Sequence, residues 1–132
     1  MIRAWRSSST RRTSTSFLTT LSSLLHATAL VAAEGVDAAD FLPGALETLT
    51  GIPAMVGDGR ELAGELQKRA YPGDLSTVLM MGATADHILG TSRRAGVDDA
   101  LPGAVKALYD RAIAAGHGRS NWTALYEVIR TM

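Results

Sequence analysis

The stretch TADHILGTSRRAGVDDALPGAV, residues 84–105, decides how this chain folds. It opens in an apolar run, passes an Arg-Arg pair and stops at Gly96. An aspartate pair and a proline follow. A glycine just past a helix, an apolar residue behind it and an aspartate ahead of the next helix mark a helix–turn–helix corner. Gly96, Val97 and Asp98 fill those places, with Asp98 as the expected cap and Pro102 in the next first turn. The pattern predicts one helix from about Ser76 to Ala95 and another from about Ala100 to Ala115, ended by Gly116. From Leu75 to Leu89 the first of these is apolar nearly all round, as for a central, buried helix or one at a subunit interface. Gly82 and Gly90 would let another backbone approach it closely.

The same corner occurs upstream. EGVDAADFLPGAL (34–46) shares Gly-Val-Asp and Leu-Pro-Gly-Ala with residues 95–105. Two short corners read as the same capping chemistry twice rather than as a duplication. Before it, Phe17, Leu21, Leu24, Leu25, Thr28 and Val31 recur at helical spacing, which predicts a helix over 17–34 closed by Gly35 and Val36. A second helix starts at Asp37, and Pro43 kinks or restarts it. A third, weaker segment over 53–69 is interrupted by GDGREL, and YPGD (71–74) is a turn. A last helix runs from Ser120 or Asn121 to Thr131. No strand pattern stands out. The expected fold is all-α, a bundle of about six helices.

Composition agrees. Hydrophobic residues make up 46% of the 132, enough for one domain with a core, while aromatics are only 5%. Alanine, leucine and glycine favour close-packed helices over a β-sandwich. The absence of cysteine excludes a disulfide framework and a thiolate metal site. Net charge is zero but uneven: residues 1–16 hold Arg3, Arg6, Arg11 and Arg12 and no acid. The remainder carries nine basic against thirteen acidic residues, a net of −4. That balance argues against nucleic-acid binding, which rests on neutralising phosphates.

The head MIRAWRSSSTRRTSTS (1–16) has no apolar period. It reads as a disordered tail, as a targeting segment, or as residues foreign to the domain through a displaced reading frame or start. For targeting, the arginines precede the apolar FLTTLSSLLHATALVAA (17–33), and Val31 and Ala33 suit a small-residue cleavage rule. Against it, Thr19, Thr20, Ser22, Ser23, His26 and Thr28 interrupt the apolar run. With no 18 uninterrupted apolar residues, no transmembrane helix is expected.

Chemistry is sparse. GDGRELAG (57–64) has two glycines in dinucleotide spacing, but the third is displaced and no strand precedes it. His26, His87 and His117 have no histidine or carboxylate partner at ligand spacing. NWT (121–123) fits a glycosylation acceptor, relevant only in a secreted eukaryotic protein. Asp86 and His87 are adjacent, so on a helix they point about 100° apart and make a poor acid/base pair. His87 is expected to be partly buried and satisfied by a threonine or a backbone group, or to line a ligand cleft. Met80 and Met81 fill a core or suit an adaptable pocket.

YPGDLSTVLMMGATADHILGTSRRAGVDDALPGAVKALYDRAIAAGHG (71–118) resembles the C-terminal helical domain of the imine reductases and NADPH-dependent reductive aminases, within the 6-phosphogluconate dehydrogenase-like, β-hydroxyacid dehydrogenase superfamily. The resemblance rests on the Tyr-Pro-Gly turn, the Leu-x-Met run at 79–81, the helix with His87 and Ser92, AGVDDALP, and AAGHG before a last helix. It continues, more weakly, through HATALVAAEGVDAADFLPGA (26–45). It implies a Rossmann domain binding NADPH, an interdomain helix and this bundle, with two subunits interlocking. The active site then lies between one subunit's Rossmann domain and the other's bundle, and hydride passes to an imine carbon. Residues 17–132 would be the dimer-forming, substrate-cleft half and 1–16 a head outside it.

The family's aspartate or tyrosine proton donor precedes the region matching LLHATALV. Here RSSSTRRTSTSF (6–17) offers neither, and the position of a cleft glutamine is Met81. The resemblance thus implies cleft residues Met80, Met81, Thr84 and His87, no catalytic residue, no metal and no cofactor held by this chain alone. NADPH belongs to the full-length family, and an imine or amine substrate requires an added Rossmann domain. Also expected are a homodimer, a cytoplasmic location and no membrane partner. The alternatives are a stand-alone, non-catalytic helical interaction module and a small exported helical protein.

Overall fold

The computed structural model describes residues 2–130, with side chains from residue 14 onward. Among the described residues there are seven α-helices, one short 3-10 turn and no strand. The helices are α1 (Ile2–Ala33), α2 (Ala38–Leu49), α3 (Ile52–Val56), α4 (Arg60–Lys68), α5 (Val78–Ala95), α6 (Ala100–Ala114) and α7 (Leu125–Ile129). The turn, Trp122–Ala124, leads into α7. The chain falls into two compact units, Met1–Ala45 and Leu46–Met132.

In the first unit, α1 begins at Ile2, so the helix carries through a stretch with no apolar period. Its end is as expected: Gly35 takes φ +88°, its N–H reaches Ala32 O and that of Val36 reaches Val31 O. The serines and threonines do not break α1, because several hydroxyls bond within it. Thr19, Thr20 and Thr28 each donate to the carbonyl four residues back, at 2.8 Å. Ser14–Ala33 is consequently long and apolar enough to cross a membrane by length and composition, with a mean hydropathy of 1.4. Phe17, Leu18, Leu21 and Leu25 are exposed. The helix α2 runs through Pro43 without restarting.

The second unit is organised on α5. Its buried positions, Val78, Gly82, Ala85, Leu89 and Ser92, recur in steps of four and three. That is the spacing of a narrow seam between helices. The seam meets Pro102, Tyr109 and Ala112 of α6. Small residues set the distance: a Cβ on Gly82 would lie 3.3 Å from Tyr109 Cβ. Gly82 is thus the close-approach glycine expected, whereas Gly90 faces only the side chain of Arg94. Ser92 enters the core without an unmet hydroxyl, because it donates to Ile88 O at 2.7 Å.

Two expected helices are each divided. Gly57 and Gly59 both take positive φ, so the third segment breaks into α3 and α4. The last helix starts as the 3-10 turn. The cap of α6 also differs from expectation. Asp99 holds the cap position, while Asp98 accepts the Ala100 N–H at 2.9 Å, and Asp99 pairs with Arg93.

The N-terminus of α5 is fixed by the chain's last third. Val78 N–H donates to Ser120 O and Leu79 N–H to Gly118 O, at 2.9 and 3.0 Å. Thr77 Oγ1 accepts the Met80 N–H. Three otherwise unpaired N–H groups of the first turn are thereby satisfied. Asn121 N–H and Trp122 N–H return to Tyr71 O and Ser76 O. Gly73 sits against Asn121 with φ +119°, a place closed to a side chain both by conformation and by space.

Candidate functional site

The four residues singled out by sequence lie on α5 but divide between two faces. Met80, Thr84 and His87 are exposed, spaced four and three apart along one stripe, with Leu79 and Ile88 beside it. Met81 turns inward and packs against the cluster of Val78, Ala85, Tyr109, Ala112 and Ala124. Thr84 Oγ1 donates to Met80 O at 3.4 Å, so its hydroxyl is tied to the helix. His87 is exposed rather than partly buried, because the seam falls on Ala85 and Leu89 to either side of it. Asp86 lies 3.9 Å from Lys106 Nζ rather than serving His87.

The strongest electrostatic feature is elsewhere and was not read from sequence. Glu127 on α7 accepts two hydrogen bonds from Arg69, Nε at 2.8 Å and Nη2 at 2.7 Å. It accepts a third from Tyr71 Oη at 2.5 Å. Arg130 stands 3.9 Å away, and His117 meets the Tyr71 ring edge-on at 6.4 Å. The side chain of Glu127 is 10% exposed. The hydrogen bonds from Arg69 and then from Tyr71 hold its carboxyl down at about 2. Burial, then the bond to Glu127, pushes the Tyr71 hydroxyl up to about 12. Both groups are far from neutrality, so neither exchanges protons readily at pH 7. The arrangement is a clamp. It binds α7 to the corner after α4, where Arg69 takes a left-handed φ of +53°. Arg111 adds a bond from Nη2 to Val128 O at 2.6 Å. No local spacing announces a bond across 58 residues; only Tyr71, already part of the Tyr-Pro-Gly signature, gave a hint.

A cleft of about 430 Å³ opens between α3–α4 and the Asn121–Thr123 corner. None of Met80, Met81, Thr84 or His87 lines it. It contains the GDG loop, which offers no seat to a pyrophosphate. No strand precedes the loop, and Asp58, Glu61 and Glu65 would repel phosphate. The described residues of this loop therefore do not fit a dinucleotide. No group of three or more metal-ligating side chains converges among the described residues.

Fold and site together define an all-α domain seamed by small residues, its last helix clamped through a largely covered carboxylate. A family model described as the C-terminal domain of NADPH-dependent reductive aminase-like proteins matches residues 15–131, and the chain belongs to that family. Among solved structures, an imine reductase from Bacillus cereus shares 30% identity at a TM-score of 0.84, covering 92% of this chain and 42% of that one. A reductive aminase from Aspergillus terreus, in complex with NADPH and ethyl levulinate, shares 28% identity at a TM-score of 0.78, covering 88% and 40%. An imine reductase from Streptomyces aurantiacus shares 25% at 0.79, covering 92% and 41%. The chain thus spans about two fifths of the length of these proteins. No protein with a curated description matches it significantly. The chain is the C-terminal domain of imine reductase/reductive aminase-like proteins, and neither the interaction-module nor the exported-protein reading is favoured.

Proposed function

We propose that this domain is the dimer-forming, substrate-cleft half of an NADPH-dependent imine reductase-like oxidoreductase, and that it reduces nothing by itself. Residues 17–132 form the domain and 1–16 a head outside it, a division supported by the family match beginning at residue 15. Met80, Thr84 and His87 face the substrate, with Met81 behind them as packing. A Rossmann domain supplies NADPH and the hydride, and an imine or amine completes the site. The protein works in the cytoplasm.

The observation that carries this reading is the pair of open apolar faces. Phe17, Leu18, Leu21 and Leu25 on α1, and Leu79, Met80 and Ile88 on α5, are 43–69% exposed. A lone soluble domain seldom leaves such runs in water, whereas an assembly covers them. The same cover accounts for the apolar length of α1 without a membrane.

Light scattering at micromolar concentration tests the assembly. A dimer is expected, and Leu25→Glu or Leu79→Glu should give a folded monomer, since both side chains are already exposed. A wild-type monomer at all concentrations refutes the dimer. Fluorescence titration with NADPH tests the second part: no binding is expected, and saturable micromolar binding by this chain alone refutes it.

A further inference from the structure

With no cysteine in the chain, methionine holds all of its oxidisable sulfur. Met55, Met80 and Met81 are the methionines among the residues whose side chains are described. Their surroundings differ. Met81 turns inward and packs against the cluster of Val78, Ala85, Tyr109, Ala112 and Ala124. Met80, its neighbour in sequence, is 54% exposed on the open face of α5, with Leu79 at 56% and Ile88 at 43%. Met55 is 61% exposed, but on α3. One chemistry thus occurs in three settings: covered by the fold, open on the apolar stripe, and open on another helix.

A thioether needs no deprotonation to react with a hydroperoxide, so access decides which methionine is oxidised. The sulfur attacks the outer peroxide oxygen, and an S–O bond forms as the O–O bond breaks. Two electrons leave sulfur, and the proton on the transferred oxygen passes to the leaving oxygen, giving water or an alcohol. The product is a methionine sulfoxide, a polar group where a flexible apolar one stood. An oxygen without a hydrogen-bond donor is costly to bury. Thr84, one turn along the stripe, already gives its hydroxyl proton to Met80 O at 3.4 Å. Oxidation therefore turns an apolar face into one that resists being covered. The core behind it is spared, because Met81 holds the inward place.

We propose that Met80 is a peroxide-sensitive switch for self-association, its sulfoxide keeping two copies of the chain from covering their α5 faces. The switch rests on the reading that a second copy covers this face. That cover protects Met80 in the dimer. A hydroperoxide thus acts on the dissociated chain and holds it apart, until reduction of the sulfoxide restores the thioether.

The test is hydrogen peroxide treatment of the full chain, below and above its dimer Kd, read by peptide mass mapping and light scattering. Met80 should oxidise quickly in dilute protein and several-fold more slowly in concentrated protein. Met55 should oxidise alike in both, and Met81 slowly in both. The oxidised chain should dimerise at least about tenfold more weakly than before treatment, and methionine sulfoxide reductase should reverse the change. In Met80→Leu the Kd should be the same before and after peroxide, whereas Met55→Leu should respond as wild type does. Three results overturn the switch and leave the dimer standing: equal oxidation of Met80 at both concentrations, undiminished dimerisation by chain oxidised at Met80, or a peroxide response that survives in Met80→Leu. A wild-type chain that is monomeric before any peroxide overturns the dimer reading and the switch with it.

Discussion

Two glycines on one helix should respond to the same substitution with opposite signs. Both Gly82 and Gly90 lie inside α5, so replacing either with alanine gains about 0.8–1.0 kcal/mol of helix propensity. The outcome depends on what the new methyl meets. At Gly90 it meets only the guanidinium end of Arg94, 3.2 Å from Nη1, and that flexible end can swing away. The propensity gain survives there, and Gly90→Ala should stabilise by roughly 0.5–1 kcal/mol. At Gly82 the methyl lies 3.3 Å from Tyr109 Cβ and 3.4 Å from Ile113 Cδ1. Tyr109 Cβ is fixed to the backbone of α6, and the tyrosine is 7% exposed, so α5 and α6 themselves must separate. Overpacking of this kind costs about 1–3 kcal/mol, which cancels or exceeds the gain. Gly82→Ala should therefore be neutral to about 2 kcal/mol destabilising, and Gly82→Leu distinctly worse. Urea unfolding followed by far-UV circular dichroism measures each difference, provided the slope with denaturant is unchanged. Equal stabilisation by both alanines would refute a seam set by Gly82 against Tyr109.

Three further outcomes follow from the clamp and the cap. The Glu127 carboxyl sits at about 2 in the fold, below its unfolded value of about 4.3. Its contribution is thus complete above the unfolded value and lost as pH falls toward 2; amide exchange in residues 125–129 should rise over that window in wild type, and Glu127→Gln should remove the pH dependence. Tyr71 is raised to about 12, so its contribution holds below pH 10 and disappears between about 10 and 12. Alkaline titration of Tyr71→Phe should lack that loss. Thr77→Ala removes the acceptor for the Met80 N–H and should cost about 1 kcal/mol in urea unfolding.

What could be read from residues alone was set by range. The corner at Gly96 was legible because its terms, a glycine beyond the helix and an aspartate ahead of the next, are local. Gly35, Gly116 and the Tyr-Pro-Gly turn were legible for the same reason, and Gly35, Gly73, Gly96 and Gly116 all take positive φ. The break at Gly57 and Gly59 was seen only as an interruption, because whether a helix crosses such a loop depends on packing rather than propensity. The inward face of α5 was not legible. From Leu75 to Leu89 nearly every side is apolar, so periodicity cannot choose one. The choice fell to the small residues Gly82, Ala85 and Ser92, which admit Tyr109 of α6. That selection left His87 outside and Met81 inside.

The clamp and the cleft are illegible for a different reason. Arg69, Tyr71 and Glu127 have no special spacing, and their joint chemistry exists only once α7 returns to the corner after α4. The same return puts Trp122 in the lining of the cleft that α3 and α4 also line. One long-range docking therefore does two things. It pairs Glu127 so tightly that its carboxyl is held at about 2, and it brings Asn121, Trp122 and Thr123 into the lining of the cleft beside α4.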